Sequence, residues 1–207
     1  VGKPQKPISL YIEGDGFAWI DRYTLSSNPT PRNPLALKLA GLDQASNVVY
    51  FGRPCQYIDL SQERYCNKKY WTSHRFSKDV LSSYNQALDK IKEKFNAKGF
   101  HLVGFSGGAA IAALLAAERS DVLSLRTIAG NLDHVALNRA REVSPLRGSL
   151  NPISVASKLK AIPQIHYSGG KDKVIPGWVA ESFVRAVGRG PCVNTRTISR
   201  ASHLDGW

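Results

Sequence analysis

The run His101-Leu102-Val103-Gly104-Phe105-Ser106-Gly107-Gly108 constrains this chain more than any other stretch. Apolar residues lead into Gly-x-Ser-x-Gly, and a small-residue run, Ala109 to Ala117, follows at once. The pattern predicts a strand, a sharp turn and a helix, with a serine at the apex in strained backbone geometry and its Oγ pointing away from the sheet. Strand and helix nearly touch at such a turn, so the flanking positions, Gly104 and Gly108, must be small. The N–H of Gly107 opens the helix, where the dipole favours negative charge. One local piece therefore offers a nucleophile and half of an oxyanion hole. The competing reading is a tight turn with a surface serine, and the strand before and helix after argue against it.

The rest of the chain alternates in the same way. Strands are expected at Ile8–Ile12, Asn47–Phe51, 100–105, Val122–Ala129, Pro163–Tyr167 and Val193–Ile198. Asn33, with Pro34 behind it, predicts a capped helix through Leu35, Leu37, Leu39 and Ala40. Phe76, Val80, Tyr84, Leu88, Ile91 and Phe95 recur at helical steps and predict a long amphipathic helix ended by Gly99. A further helix is expected over 177–187. Alternating strands and helices imply one domain over 1–207 with a mostly parallel sheet covered on both faces. Residues 135–161 fall where a short lid could sit. The glycine-rich strand exits at 13–16, 104–108, 130–134 and 169–172 should converge on one sheet edge, where sites of this architecture lie.

Composition narrows the classes. The 207 residues suffice for a core, and no stretch approaches the roughly 18 apolar residues of a membrane span. The start, Val1-Gly2-Lys3-Pro4, reads as a trimmed or mature N-terminus. Net charge is +12, spread evenly with no basic arm. No recognition helix or zinc spacing accompanies it, so no specific nucleic acid is expected; contact with anionic surfaces or substrates fits better. There are three cysteines, none in metal spacing. Cys55 and Cys66 bracket one loop. They read as a disulfide in an exported protein, periplasmic or secreted, and as two thiols in a cytoplasmic one; the disulfide is expected.

A serine needs a base, and the base needs an orienting acid. Among five histidines, His101 starts a strand at the remote end. His166 lies within a strand as a core residue, and His74 precedes a helix. His134 sits at a strand exit and is a minor candidate. His203 follows the last strand and is the expected base. Asp172, at the exit of the preceding strand, is the expected acid, with Asp133 as the fallback; Asp205 is too near His203 in sequence to orient it. The order is then Ser106, Asp172, His203.

With this order in place, the chain resembles the α/β hydrolases over nearly its full length. More narrowly it resembles a family of small, uncharacterised bacterial members. Tyr11-Ile12-Glu13-Gly14-Asp15-Gly16-Phe17-Ala18-Trp19, Pro29-Thr30-Pro31, Gly52-Arg53-Pro54-Cys55-Gln56-Tyr57, Tyr70-Trp71-Thr72-Ser73-His74-Arg75-Phe76 and Gly130-Asn131-Leu132-Asp133-His134 carry that narrower likeness. The resemblance implies a second oxyanion donor at an early strand exit, where such hydrolases usually place His-Gly-x. Here Glu13-Gly14-Asp15 corresponds, so Glu13 stands for the histidine and the N–H of Asp15 is the implied donor beside Gly107. The Asp15 carboxylate must then point away or pair with a cation. The family usually has a helix after the histidine loop, whereas this sequence ends at Trp207.

These observations imply a serine hydrolase of small-molecule esters or thioesters, working through an acyl-enzyme with no metal or organic cofactor. The alternative is a catalytically silent binding protein on the same scaffold, against which the intact Ser-Asp-His order argues. Nothing signals peptide hydrolysis.

Overall fold

The mostly apolar run of the first strand, Ile8–Ile12, is buried at every position, as expected of a strand covered on both faces. The computed structural model describes residues 3, 5–188 and 190–207; of the N-terminal stretch read above, Val1, Gly2 and Pro4 lie outside the described residues. Six strands, β1 (Ile8–Ile12), β2 (Val48–Phe51), β3 (Phe100–Phe105), β4 (Val122–Ile128), β5 (Gln164–Gly169) and β6 (Val193–Ile198), form one parallel sheet in the order β2-β1-β3-β4-β5-β6. Among the described residues five α-helices connect or follow the strands: α1 (Leu35–Leu42), α2 (Lys78–Phe95), α3 (Gly107–Glu118), α4 (His134–Ala140) and α5 (Trp178–Val187). Among the described residues no helix is long and apolar enough to cross a membrane.

The parallel register puts Ile8, Leu10, Ile12, Leu102 and Leu125 on one face, where they build the main core with α2, α3 and α5. The helix α3 is buried almost all round, which explains its uniform Ala/Leu composition. The other face is covered mainly by α1, through Tyr11, Val103 and Phe105 against Leu35, Ala36 and Ala40. Farther along that face the register lines up Arg126 with Ile165 and Asn194, and Arg196 with Tyr167. Arg126, Asn194 and Arg196 are exposed; β4 carries wet positions between buried ones, the edge strand β6 is exposed from Asn194 to Thr197, and β1 is buried throughout.

Several local expectations change in three dimensions. Asn33 does not cap α1: the residue before the helix is Pro34, without a side-chain cap, and the Glu13 carboxylate accepts from the N–H groups of Ala36 and Leu37 instead. The long helix begins after Phe76, with the Ser77 hydroxyl accepting from the N–H of Val80. It ends at Asn96, which takes the left-handed conformation (φ 44°), before Gly99 is reached. Asn tolerates this region better than other residues with a Cβ. The stretch 135–161, marked as the place for a lid, sends Leu137, Ala156 and Leu159 into the main core. It holds α4 and a 3-10 segment, Pro152–Leu159. Cys55 and Cys66 are joined in a disulfide, leaving Cys192 as an exposed free thiol.

Candidate active site

The apex of the β3–α3 turn is built by close approach. A Cβ at Gly104 would overlap the Ala109 backbone, and one at Gly108 would overlap the carbonyl oxygens of Ile12 and Glu13. The β1 exit and the start of α3 therefore lie in direct contact. Between these glycines Ser106 has φ 51° and ψ −115°, a costly geometry for a residue with a Cβ. The turn is held by the Ser106 N–H donating to the Ile128 carbonyl (2.9 Å) and the Asn131 N–H donating to the Ser106 carbonyl (3.0 Å).

His203 reaches this serine from the loop after β6, with Nε2 3.1 Å from Ser106 Oγ. Its Nδ1 is 2.9 Å from Asp172 Oδ2. The loops meet because Gly169 and Gly170 leave room for the backbone of Ser199 and Ala201, and the Lys171 N–H donates to the Ala201 carbonyl (2.9 Å). The other Asp172 oxygen accepts from the N–H groups of Val174 (2.7 Å) and Ile175 (2.9 Å). Burial alone would push this carboxyl up; the bonds from His203, Ile175 and Val174 outweigh it and hold the group below the usual range. The Phe105 ring packs against the imidazole at 5.1 Å, and the Trp207 indole N–H donates to the His203 carbonyl (3.2 Å). A hydroxyl next to an imidazole that is itself backed by a buried carboxylate is an arrangement able to generate a nucleophile.

The other candidates lie elsewhere. Asp133 caps α4, accepting from the Ala136 N–H (3.1 Å) and from Asn151 Nδ2 (2.8 Å). His134 is buried against Phe76, its Nε2 3.2 Å from the Leu150 carbonyl. His166 is fully buried between Thr127 and Gln164, and desolvation lowers its pKa to about 4. His101 pairs with Ser124, and His74 with Ser73. Asp205 is exposed.

The β1 exit faces the serine from the far side. Glu13 is buried; desolvation raises its pKa against the N–H bonds of Gly14, Ala36 and Leu37 and the hydroxyl of Tyr50. It thus ties the β1 exit to α1. The Asp15 carboxylate lies so close to Gly107 that a Cβ there would overlap it. It pairs with two cations, Arg53 Nη1 on Oδ1 (2.9 Å) and Arg75 Nη1 on Oδ2 (2.6 Å). Burial would raise its pKa, and the guanidiniums of Arg75 and Arg53 outweigh that and hold it low. Gln56, also buried, donates to the carbonyls of Gly14 (3.2 Å) and Pro29 (3.3 Å) and so braces the same loop. Sequence reasoning assigned no role to Arg53, Gln56 or Arg75, although all three stand in the motifs quoted above. Those scattered motifs were the available signal: they collect around one loop.

Ser106 and His203 open into a cleft of about 470 Å³ lined also by Asp15, Phe17, Trp19, Arg75 and Leu204. At its rim the Arg32 guanidinium lies 3.7 Å from the centre of the Phe17 ring. No residue of 135–161 lines it. Among the described residues no group of three or more His, Cys, Asp or Glu is gathered as a metal ion would need.

A family model described as serine hydrolase (FSH1) matches residues 42–195. The chain belongs to this serine hydrolase family. Solved structures agree on the fold. An α/β serine hydrolase homologue from Coxiella burnetii is 20% identical with a TM-score of 0.64, covering 98% of this chain and 79% of its own. An esterase from Pyrococcus furiosus is 15% identical with a TM-score of 0.63, covering 97% and 76%. An acylaminoacyl peptidase from Pyrococcus horikoshii is 11% identical with a TM-score of 0.66, covering 97% of this chain and 34% of its own. No curated protein sequence matches. The six-stranded parallel sheet of this serine hydrolase is that of the α/β-hydrolase fold.

Proposed function

We propose that this serine hydrolase cleaves small-molecule carboxylic esters or thioesters through an acyl-enzyme on Ser106. The observation that carries the reading is the continuous chain Ser106 Oγ, His203 Nε2, His203 Nδ1, Asp172 Oδ2, with links of 3.1 and 2.9 Å, opening on a cleft. Ser106 Oγ attacks the carbonyl carbon while His203 Nε2 takes its proton, and Asp172 holds the proton of Nδ1 in place. The N–H groups of Gly107 and Asp15 donate to the oxyanion. His203 then protonates the leaving alcohol or thiol as the tetrahedral intermediate collapses. Water, deprotonated by the same Nε2, releases the acid and restores Ser106. The apolar part of the lining, Phe17, Trp19, Val174 and Leu204, suits a short or flexible acyl chain. The Cys55–Cys66 bridge supports residence in an oxidising compartment, periplasmic or secreted.

Incubation with a fluorophosphonate probe and mass mapping of the adduct tests this directly. Labelling is expected at Ser106 alone, lost in Ser106→Ala together with turnover of p-nitrophenyl acetate. A wild-type protein that takes no label and turns over no ester would point to a silent scaffold instead.

A further inference from the structure

The Asp15 loop holds a contradiction that the cleft must resolve. The residue whose N–H is assigned to the oxyanion carries a carboxylate, and that carboxylate sits against Gly107, the other assigned donor. A negative charge within a few ångströms of a developing oxyanion raises its energy, most of all in a water-poor site. The carboxylate is only partly accessible, its side chain 18% exposed, so solvent does little to screen it. Both of its oxygens are instead taken by guanidiniums, one from each of two connecting segments: Arg53 follows β2, and Arg75 precedes α2. The two arginines are themselves locked. Arg53 Nη2 donates to the Arg75 carbonyl, and Arg75 Nε donates to the Thr72 carbonyl (2.8 Å). Arg53 is almost wholly buried, and Arg75 lines the same cleft as Ser106 and His203.

Two positive charges against one negative leave this cluster with a net positive charge beside the assigned donors. A structural ion pair needs only one cation. The second, facing the cleft, adds a positive charge where the first pairing is already neutral, and so offsets the Glu13 carboxylate at the same strand exit as well. We propose that Arg75 is a positioning residue for catalysis: with Arg53 it turns the Asp15 carboxylate away from the oxyanion and neutralises it, which allows the Asp15 N–H to serve as a donor. This rests on the acyl-enzyme reading above. It goes beyond that reading by making an arginine that need not touch substrate a determinant of kcat.

The test is a double-mutant cycle on the full chain with p-nitrophenyl acetate, comparing Arg75→Met, Asp15→Asn and Asp15→Asn/Arg75→Met, with Arg75→Lys beside them, each checked for its melting temperature. Arg75→Met leaves Asp15 with one partner and is expected to lower kcat on the order of 10²-fold, the scale of a lost oxyanion donor, with KM within threefold. Removing the stranded charge as well should restore kcat to within tenfold of wild type. A purely structural role would show loss and rescue in the melting temperature and leave kcat of the folded Arg75→Met variant within threefold of wild type. Arg75→Lys keeps the charge and should stay within tenfold of wild type, which also covers the case of an Arg75→Met that melts below the assay temperature. A double variant no better than Arg75→Met, a loss carried by KM alone, or an Arg75→Lys as poor as Arg75→Met would overturn the proposal. Labelling of Ser106 in the wild type separates this failure from failure of the acyl-enzyme reading.

Discussion

Replacing Asp172 by Asn is the perturbation with the sharpest structural consequence. Its two oxygens have different jobs: Oδ1 accepts two backbone N–H groups, from Val174 and Ile175, and Oδ2 faces Nδ1 of His203. An amide has one accepting oxygen and one donating NH2. Two N–H donors at the first position hold the amide oxygen there, since the reverse orientation would set NH2 against both. The NH2 must then face Nδ1, which can only accept from it, and the ring proton moves to Nε2. That nitrogen now presents N–H to Ser106 Oγ and has no lone pair to take its proton. To recover the working tautomer the site must break the amide–ring bond and oppose two buried donors, roughly 1–3 kcal/mol for each group left unpaired. The carboxylate's support of the imidazolium is lost as well. Together these amount to about 4–5.5 kcal/mol, or a fall of roughly 10³–10⁴ in kcat. Initial rates on p-nitrophenyl acetate measure it, with Asp133→Asn as the comparison. Asp133 caps α4 through an oxygen that Asn also possesses, so that change should cost less than about tenfold. The reasoning fails if Asp172→Asn retains more than a tenth of wild-type activity, or if both variants lose equally.

Other consequences follow from individual contacts. The Cys55–Cys66 bridge closes a short loop, sequence separation 11, so its reduction should lower stability by about 3 kcal/mol; Ellman titration of unreduced, denatured protein should count one thiol, and three would remove the bridge from the account. His166 is neutral in the fold with its pKa lowered to about 4, against 6.5 when unfolded. The unfolded chain therefore gains its proton first as pH falls, and stability present above pH 6.5 is lost at about 1.4 kcal/mol per pH unit, about 3 kcal/mol by pH 4. Urea midpoints should show this slope, flattened in His166→Gln; parallel profiles would refute it. Gly108→Ala drives a Cβ into the carbonyls of Ile12 and Glu13 and should destabilise by about 3 kcal/mol, whereas Gly41→Ala in α1 meets nothing within 4 Å and should stabilise by about 0.5 kcal/mol. Equal denaturation midpoints for the two variants would contradict the packing argument.

What could be read from the residues alone was local. The Gly-x-Ser-x-Gly turn, the strand runs and the face of α2 each depend on neighbours within a few positions, where backbone geometry and the periods of helix and strand act. The alternation of elements then implied a parallel sheet and gathered the strand exits at one edge, because parallel crossovers allow little else. The residue order Ser106, Asp172, His203 was visible, but the choice between Asp172 and Asp133 as the neighbour of His203 depends on which exits abut, and that is a matter of sheet order and of the loop contacts at Gly169 and Gly170. Tertiary structure alone decided the charges. Arg53 and Arg75 stand 38 and 60 residues from Asp15, and no periodicity connects them. Glu13 replaced Asn33 at the start of α1 for the same reason: a buried carboxylate takes whatever N–H groups the fold brings to it. The stretch 135–161 entered the core because its apolar positions found α3 and α5 beside them. Local sequence sets which elements form, whereas burial and ion pairing depend on which surfaces those elements bring together, and that is known only once the chain has closed on itself.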